Sequence, residues 1–168
     1  MTLPSPYYSD DAVTIYHGDC RELLPSLSGI DCIVTSPPYN QMAGIVGATP
    51  SGLWADSQGG AGFMRKISEC FYADDMEESA YQEMQNELFG GIEAACNESA
   101  SLFYNHQLRW RDGTLLHPVQ WFRPRGWRLR QEIVWERGGG MMFNARLFCR
   151  FEERILWFVK GHHKWAEG

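Results

Sequence analysis

Apolar and polar positions along the chain fall into short blocks whose periods separate strands from helices. Ala12-Val13-Thr14-Ile15-Tyr16 predicts a strand, closed by His17-Gly18-Asp19. Cys20 to Leu27 then predicts a short helix with Asp19 as its N-cap. Ile30-Asp31-Cys32-Ile33-Val34 is an apolar run that predicts a buried strand. Residues 41–63 are rich in Gly, Ala and Ser and show no period, which predicts a mobile loop. A long loop directly after a strand end commonly serves as a functional lid.

Asp74 to Asn97 predicts a helix, with Tyr81, Met84, Leu88 and Ile92 on one stripe and Glu77, Glu78 and Glu83 off it. Gly90-Gly91 weakens that pattern near its end. Ala100 to Asn105 predicts a strand, and Leu115 to Arg125 a helix with Pro118 in its first turn, ended by Pro124-Arg125-Gly126. Arg128–Trp135 and Arg154–Val159 predict two further strands. The stretch between them carries Gly138-Gly139-Gly140 and an aromatic loop, with no room for an ordered crossover helix. Those two strands are therefore expected to pair antiparallel. The alternation places the chain in the α/β class.

At 168 residues the chain is one domain or most of one, and 44% hydrophobic residues can supply a core. No run of 18 apolar residues suggests a membrane span, and Met-Thr-Leu-Pro-Ser-Pro lacks the regions of a secretory signal. Five scattered cysteines (Cys20, Cys32, Cys70, Cys96 and Cys149) include no Cys-x-x-Cys pair, so thiols in a reducing cytosol are expected rather than a disulfide frame or a zinc site. Net charge is −6, but unevenly spread: residues 1–100 carry −12 and residues 101–168 carry +6. The basic side chains between Arg109 and Arg150 are interleaved with Trp110, Trp121, Trp127 and Trp135. Arginine binds phosphate through a bidentate fork and stacks on bases, so this half suits a nucleic-acid face or simply a solvated one. Overall acidity argues against a purely electrostatic DNA binder.

The sharpest chemistry is Thr35-Ser36-Pro37-Pro38-Tyr39-Asn40, at the carboxyl end of the Ile30–Val34 strand, where open α/β sheets bind ligands. Two prolines stiffen the backbone and remove consecutive N–H donors. They leave a rigid array of acceptors beside one aromatic face, suited to a planar base bearing an exocyclic amine. With Gly18-Asp19 and the strands Ile133-Val134-Trp135 and Ile155-Leu156-Trp157-Phe158, this motif makes the chain resemble the amino-methylating DNA methyltransferases. Those enzymes act on cytosine N4 or adenine N6.

The resemblance runs from Val13 to Gly161. It implies a partial Rossmann-like class I methyltransferase sheet, mostly parallel with a C-terminal antiparallel hairpin. It implies S-adenosyl-L-methionine as cofactor, double-stranded DNA as substrate, and a cytoplasmic, bacterial or phage-encoded protein. By the same resemblance Ser36, Pro37, Pro38 and Tyr39 are catalytic: Ser36 and the Pro37 carbonyl hold the target amine, and Tyr39 stacks on a base flipped out of the duplex. Asp19, Ser36 and Pro37 border the cofactor, Asp19 near its adenine end. Asn40, Arg123, Arg125, Arg128, Arg137 and Arg146 are the expected DNA contacts. Serine at the first motif position leans toward cytosine N4. Cytosine-C5 chemistry is a poor fit, since no cysteine follows a proline.

The family's glycine loop, Phe-x-Gly-x-Gly, is missing: Gly59-Gly60 follows no convincing strand and Gly138-Gly139-Gly140 lies between late strands. In a permuted member that cofactor half comes after the segments seen here. Without it the Ser-Pro-Pro-Tyr strand exposes an apolar edge. Val13–Tyr16 could pair with Ile33–Thr35, a second chain or second copy could cover the edge, or these residues belong to a longer enzyme. The rival to an active enzyme is a non-catalytic half that binds DNA or a partner. His162-His163 with Trp165 is not expected to bind metal, since neighbours on a strand face opposite ways. His106 and His117 are expected to be surface or satisfied polar residues rather than bases.

Overall fold

A computed structural model of the chain describes residues 2–40, 76–111, 113–136 and 152–161. The predicted loop at 41–63 falls outside them, as do Cys70, Arg137, Gly138-Gly139-Gly140, Arg146, Cys149, His162, His163 and Trp165. The described elements are β1 (Tyr8–Ser9), β2 (Thr14–Ile15), α1 (Cys20–Leu23) continued by a 3-10 turn (Leu24–Ser26), β3 (Ile30–Thr35), α2 (Glu78–Ala95), β4 (Cys96–His106), β5 (Arg109–Arg111), β6 (Thr114–Leu116), α3 (Pro118–Trp121), β7 (Trp127–Glu136) and β8 (Glu152–Lys160).

Four strands form the main sheet in the order β3-β4-β8-β7. β3 runs parallel to β4, with Thr35 opposite Tyr104, while β8 is antiparallel to both β4 and β7. The sheet is thus mixed, and the expected antiparallel hairpin is present as β7–β8. α2 covers one face. Its buried residues, Tyr81, Gln85, Phe89, Ile92 and Ala95, follow helical spacing. They meet Ala100, Leu102 and Tyr104 of β4 and Leu156 and Phe158 of β8 in one core. The stripe is centred on Gln85, between the predicted Met84 and Leu88, because the Tyr104 hydroxyl donates to Gln85 Oε1 at 3.1 Å. α2 runs through Gly90-Gly91 unbroken, and Gly91 packs against Leu24. Lys160 Nζ donates to the carbonyls of Glu93 (2.9 Å) and Cys96 (2.8 Å), where helix C-terminal oxygens attract a cation.

Several expectations change. The first strand shrinks to Thr14–Ile15 and pairs with Tyr8–Ser9, not with Ile33–Thr35. Asp10 Oδ1 accepts from the Ala12 and Val13 amides (2.8 and 2.7 Å), a local turn that draws this segment into a hairpin of its own. Asp19 does cap α1, accepting from the Arg21 amide. The predicted Leu115–Arg125 helix is only one turn, Pro118–Trp121, because Leu115 and Leu116 pair with Arg109 and Trp110 as strands. β3 is not buried: Asp31 and Cys32 are exposed and Val34 is 78% exposed. Among the described residues, β3 has a partner on its β4 side alone.

Candidate active site

The carboxyl ends of β3 and β4 and the start of the antiparallel β8 meet at one end of the sheet. There the backbone turns out of β3 into Ser36-Pro37-Pro38-Tyr39. Ser36 is exposed, Pro37, Pro38 and Tyr39 are half-buried, and Asn40 is fully buried. Ser36 Oγ lies 2.6 Å from the Tyr39 hydroxyl. That hydroxyl accepts from Asn105 Nδ2 at 2.9 Å and faces Glu153 Oε2 at 3.3 Å. Asn105 Nδ2 also donates to Glu153 Oε2 (2.7 Å), and Gln107 Nε2 donates to Glu153 Oε1 (2.9 Å). A buried carboxylate therefore sits two hydrogen bonds, through Tyr39 alone, away from the exposed serine.

A second network fixes the turn from beneath. Tyr81 of α2 is fully buried, and its hydroxyl lies 2.7 Å from both the Pro38 carbonyl and His106 Nε2. His106 Nδ1 donates to the Gln107 carbonyl at 2.7 Å, which leaves Nε2 as an acceptor in the neutral ring. Burial, reinforced by nearby Arg109, holds the His106 pKa down to about 3, so the ring is neutral. The Tyr39 ring rests on the His106 ring, 5.0 Å between centroids. Arg109 forks onto Glu78 (2.6 and 2.8 Å) and lies over the Tyr81 ring. His106 is thus a satisfied interior residue, as expected, but not a surface one. His117 caps α3 and meets Glu132 at 3.0 Å.

The remaining predicted residues are dispersed. Asn40 is a correction: its side chain is fully buried, Nδ2 donating to the Met76 carbonyl at 2.9 Å, so it does not present itself to DNA. It sits at φ 55, a left-handed conformation that asparagine tolerates, where the chain leaves the turn. Arg123, Arg125 and Arg128 are exposed. Arg123 folds back onto carbonyls of α3 and Arg128 onto Gly161, which tethers both guanidinium groups. Asp19 is held by Arg21, whose side chain and amide lower its carboxyl to about 2, so it is an anion throughout the neutral range. Cys20 and Cys32 are exposed free thiols and Cys96 a buried one. Among the described residues no cluster of His, Cys, Asp or Glu could hold a metal, and no helix is long and apolar enough to cross a membrane.

Glu153, Asn105, Gln107, Tyr81 and Arg109 were not picked out by motif. Asn105 lies next to the end of β4 and Glu153 next to the start of β8, and it is the sheet register, which no motif carries, that brings both to this end of the sheet.

Known proteins give this geometry a frame. Over 40 residues the chain is 52% identical to the Type II methyltransferase M.ScaI of Streptomyces caespitosus, covering 23% of this chain and 13% of that protein. The cytosine-N4-specific PvuII DNA methyltransferase superposes with a TM-score of 0.61 at 15% identity, over 94% of this chain and 52% of that one. The M1.HpyAVI–SAM complex gives a TM-score of 0.50 at 16% identity, over 89% and 54%. The chain spans about half the length of these structures, and shares their class I α/β fold. Residues 30–167 match the N6/N4 DNA methylase family model, from the first residue of β3 onward. With that match over most of its length, the chain belongs to the DNA methylase family.

Proposed function

We propose that the chain methylates the exocyclic amine of a DNA base flipped into the end of the sheet, with cytosine N4 preferred over adenine N6. The observation that carries this is the Ser36–Tyr39 turn: an exposed serine hydroxyl and a half-buried tyrosine, stiffened by two prolines and tied down by Tyr81 and Asn105. An exocyclic amine is a weak nucleophile because its lone pair is delocalised into the ring. Ser36 and the Pro37 carbonyl accept its two hydrogens, which favours a tetrahedral nitrogen and localises the pair. Positioning and charge placement then do the remaining work. Flipping a base costs a few kcal/mol, and stacking on Tyr39 offsets about 1–3 kcal/mol of it.

S-adenosyl-L-methionine is the proposed methyl donor, supplying an electrophilic methyl group on sulfonium. Asp19 caps α1 and contacts Arg21, apart from the Ser36–Tyr39 turn, so each is proposed for a different end of the cofactor. The Asp19 carboxylate is ionised and half-exposed, suited to hydroxyl or amine donors of the adenosine end, and Ser36 and Pro37 would border the reacting end. Double-stranded DNA would lie against the arginine-rich half, with Arg123, Arg125 and Arg128, together with Arg137 and Arg146, as phosphate contacts. The preference for cytosine N4 rests on serine at position 36, and PvuII methyltransferase is a cytosine-N4 enzyme of like fold.

Among the described residues β3 is paired on its β4 side alone, which favours a partner strand from a second copy or a second subunit. Sedimentation should find an assembly, and a well-folded monomer at micromolar concentration would remove this part. For the activity, Ser36→Ala and Tyr39→Ala should abolish methyl transfer and keep the fold by circular dichroism. Full activity in both ends the reading. Calorimetry showing DNA binding but no S-adenosylmethionine binding would favour a non-catalytic half instead.

A further inference from the structure

We infer that Glu153 is the terminal proton acceptor of this site, reached from the target amine through Ser36 and Tyr39; this rests on the amine-methylation reading above. The need is chemical. Once the amine nitrogen gives its lone pair to the methyl carbon, and the carbon–sulfur pair leaves on sulfur, the nitrogen is cationic and must lose one proton. A carboxylate at the first motif position could keep that proton. A serine hydroxyl can only pass it on.

The hydrogen bonds set a direction for passing it. Asn105 Nδ2 can only donate, and it donates to both the Tyr39 oxygen (2.9 Å) and Glu153 Oε2 (2.7 Å). Gln107 Nε2 donates to the other carboxylate oxygen at 2.9 Å. Amide donors on both oxygens favour the ionised carboxylate. The Tyr39 hydrogen then points to Glu153 Oε2, across 3.3 Å, and the Ser36 hydrogen points to the Tyr39 oxygen, across 2.6 Å. Ser36 keeps its lone pairs for the amine. Catalytic hydrogen bonds are often long before substrate binds, so the 3.3 Å step has room to shorten. In the transfer an amine N–H breaks as a proton moves to Ser36 Oγ, the Ser36 proton moves to the Tyr39 oxygen, and the Tyr39 proton moves to Glu153. Ser36 and Tyr39 end neutral, and Glu153 ends as the neutral acid.

Nothing in local sequence joins these residues. Position 153 lies 114 residues beyond Tyr39, and the antiparallel register of β8 brings it there, one step past the His106–Arg154 pair.

The test compares wild type, Tyr39→Phe, Glu153→Gln and the double variant in single-turnover methyl transfer with saturating DNA and S-adenosylmethionine. Phenylalanine keeps the stacking ring and removes only the relay hydroxyl. Each single variant should slow transfer by about 10²-fold or more, with both dissociation constants unchanged. The double variant should be no slower than the slower single, because both break one wire. A second readout needs neither DNA nor cofactor. The Glu153 carboxyl carbon resonance of the unliganded chain should shift in Tyr39→Phe. A wild-type rate in Glu153→Gln, multiplying losses in the double variant, or an unmoved resonance each overturns the relay while leaving the methylation reading standing. A wild-type chain that makes no methylated amine removes that reading and the relay with it.

Discussion

Tyr81→Phe removes one oxygen from the interior and little else, which makes it a clean probe of how the fold holds the site. The Tyr81 side chain is fully buried, and its hydroxyl meets two acceptors at 2.7 Å, the Pro38 carbonyl and His106 Nε2. The hydroxyl carries one hydrogen, so phenylalanine leaves whichever acceptor held it without a donor, in a place water does not reach freely. A buried polar group deprived of its partner costs about 1–3 kcal/mol. Taking about 2 kcal/mol, the melting temperature should fall by about 4–8 °C for a chain of this size. The Ser36–Tyr39 turn also loses its anchor to α2, so methyl transfer should slow by about tenfold or more. Ile92→Ala is the control. It opens a cavity in the same core away from the turn, costing about 2–5 kcal/mol, and should leave the rate unchanged at temperatures where the protein is folded. Thermal melts by circular dichroism and single-turnover rates measure the two effects. Unchanged stability and rate in Tyr81→Phe, or equal slowing by Ile92→Ala, would refute the argument.

Three further perturbations follow from the same structure. His106 is held neutral with its pKa near 3, below the ordinary 6.5, so between these values the unfolded chain binds the extra proton. Stability should therefore be complete above pH 6.5 and decline by up to about 1.4 kcal/mol per unit toward pH 3. In urea titrations His106→Gln should flatten that decline, and identical slopes in both proteins would contradict it. Glu78→Gln strips Arg109, only 3% exposed, of its bidentate partner, and should cost about 2–3 kcal/mol, less than a fully buried pair because Glu78 is 23% exposed. No change in the urea midpoint would count against it. Gly161→Ala places a methyl carbon 2.5 Å from the Glu98 carbonyl oxygen at φ +61, so the end of β8 should shift and stability fall by more than 1 kcal/mol, read from the same titration.

What was legible in the sequence was local. The Ile30–Thr35 strand, the α2 stripe, the Asp19 cap and the β7–β8 hairpin each follow from a period or a residue type that acts over a few positions. The Ser36–Tyr39 turn was legible for the same reason, since two prolines and a tyrosine carry their constraint with them. Failures came where a distant partner decides. Leu115 and Leu116 suit a helix, yet pair with Arg109 and Trp110 in a hairpin. Asn40 looks like a surface polar residue, but the turn carries it inward to the Met76 carbonyl. Glu153 and Asn105 are ordinary polar letters in their own strands, and only the β4–β8 register brings them to Tyr39.

The most direct measurement is mass spectrometry of the nucleosides from duplex DNA incubated with the chain and isotope-labelled S-adenosylmethionine. The account predicts labelled N4-methylcytosine from the wild-type chain and none from Ser36→Ala or Tyr39→Ala. Label on a ring carbon, or on an amine to the same extent in all three proteins, would contradict it.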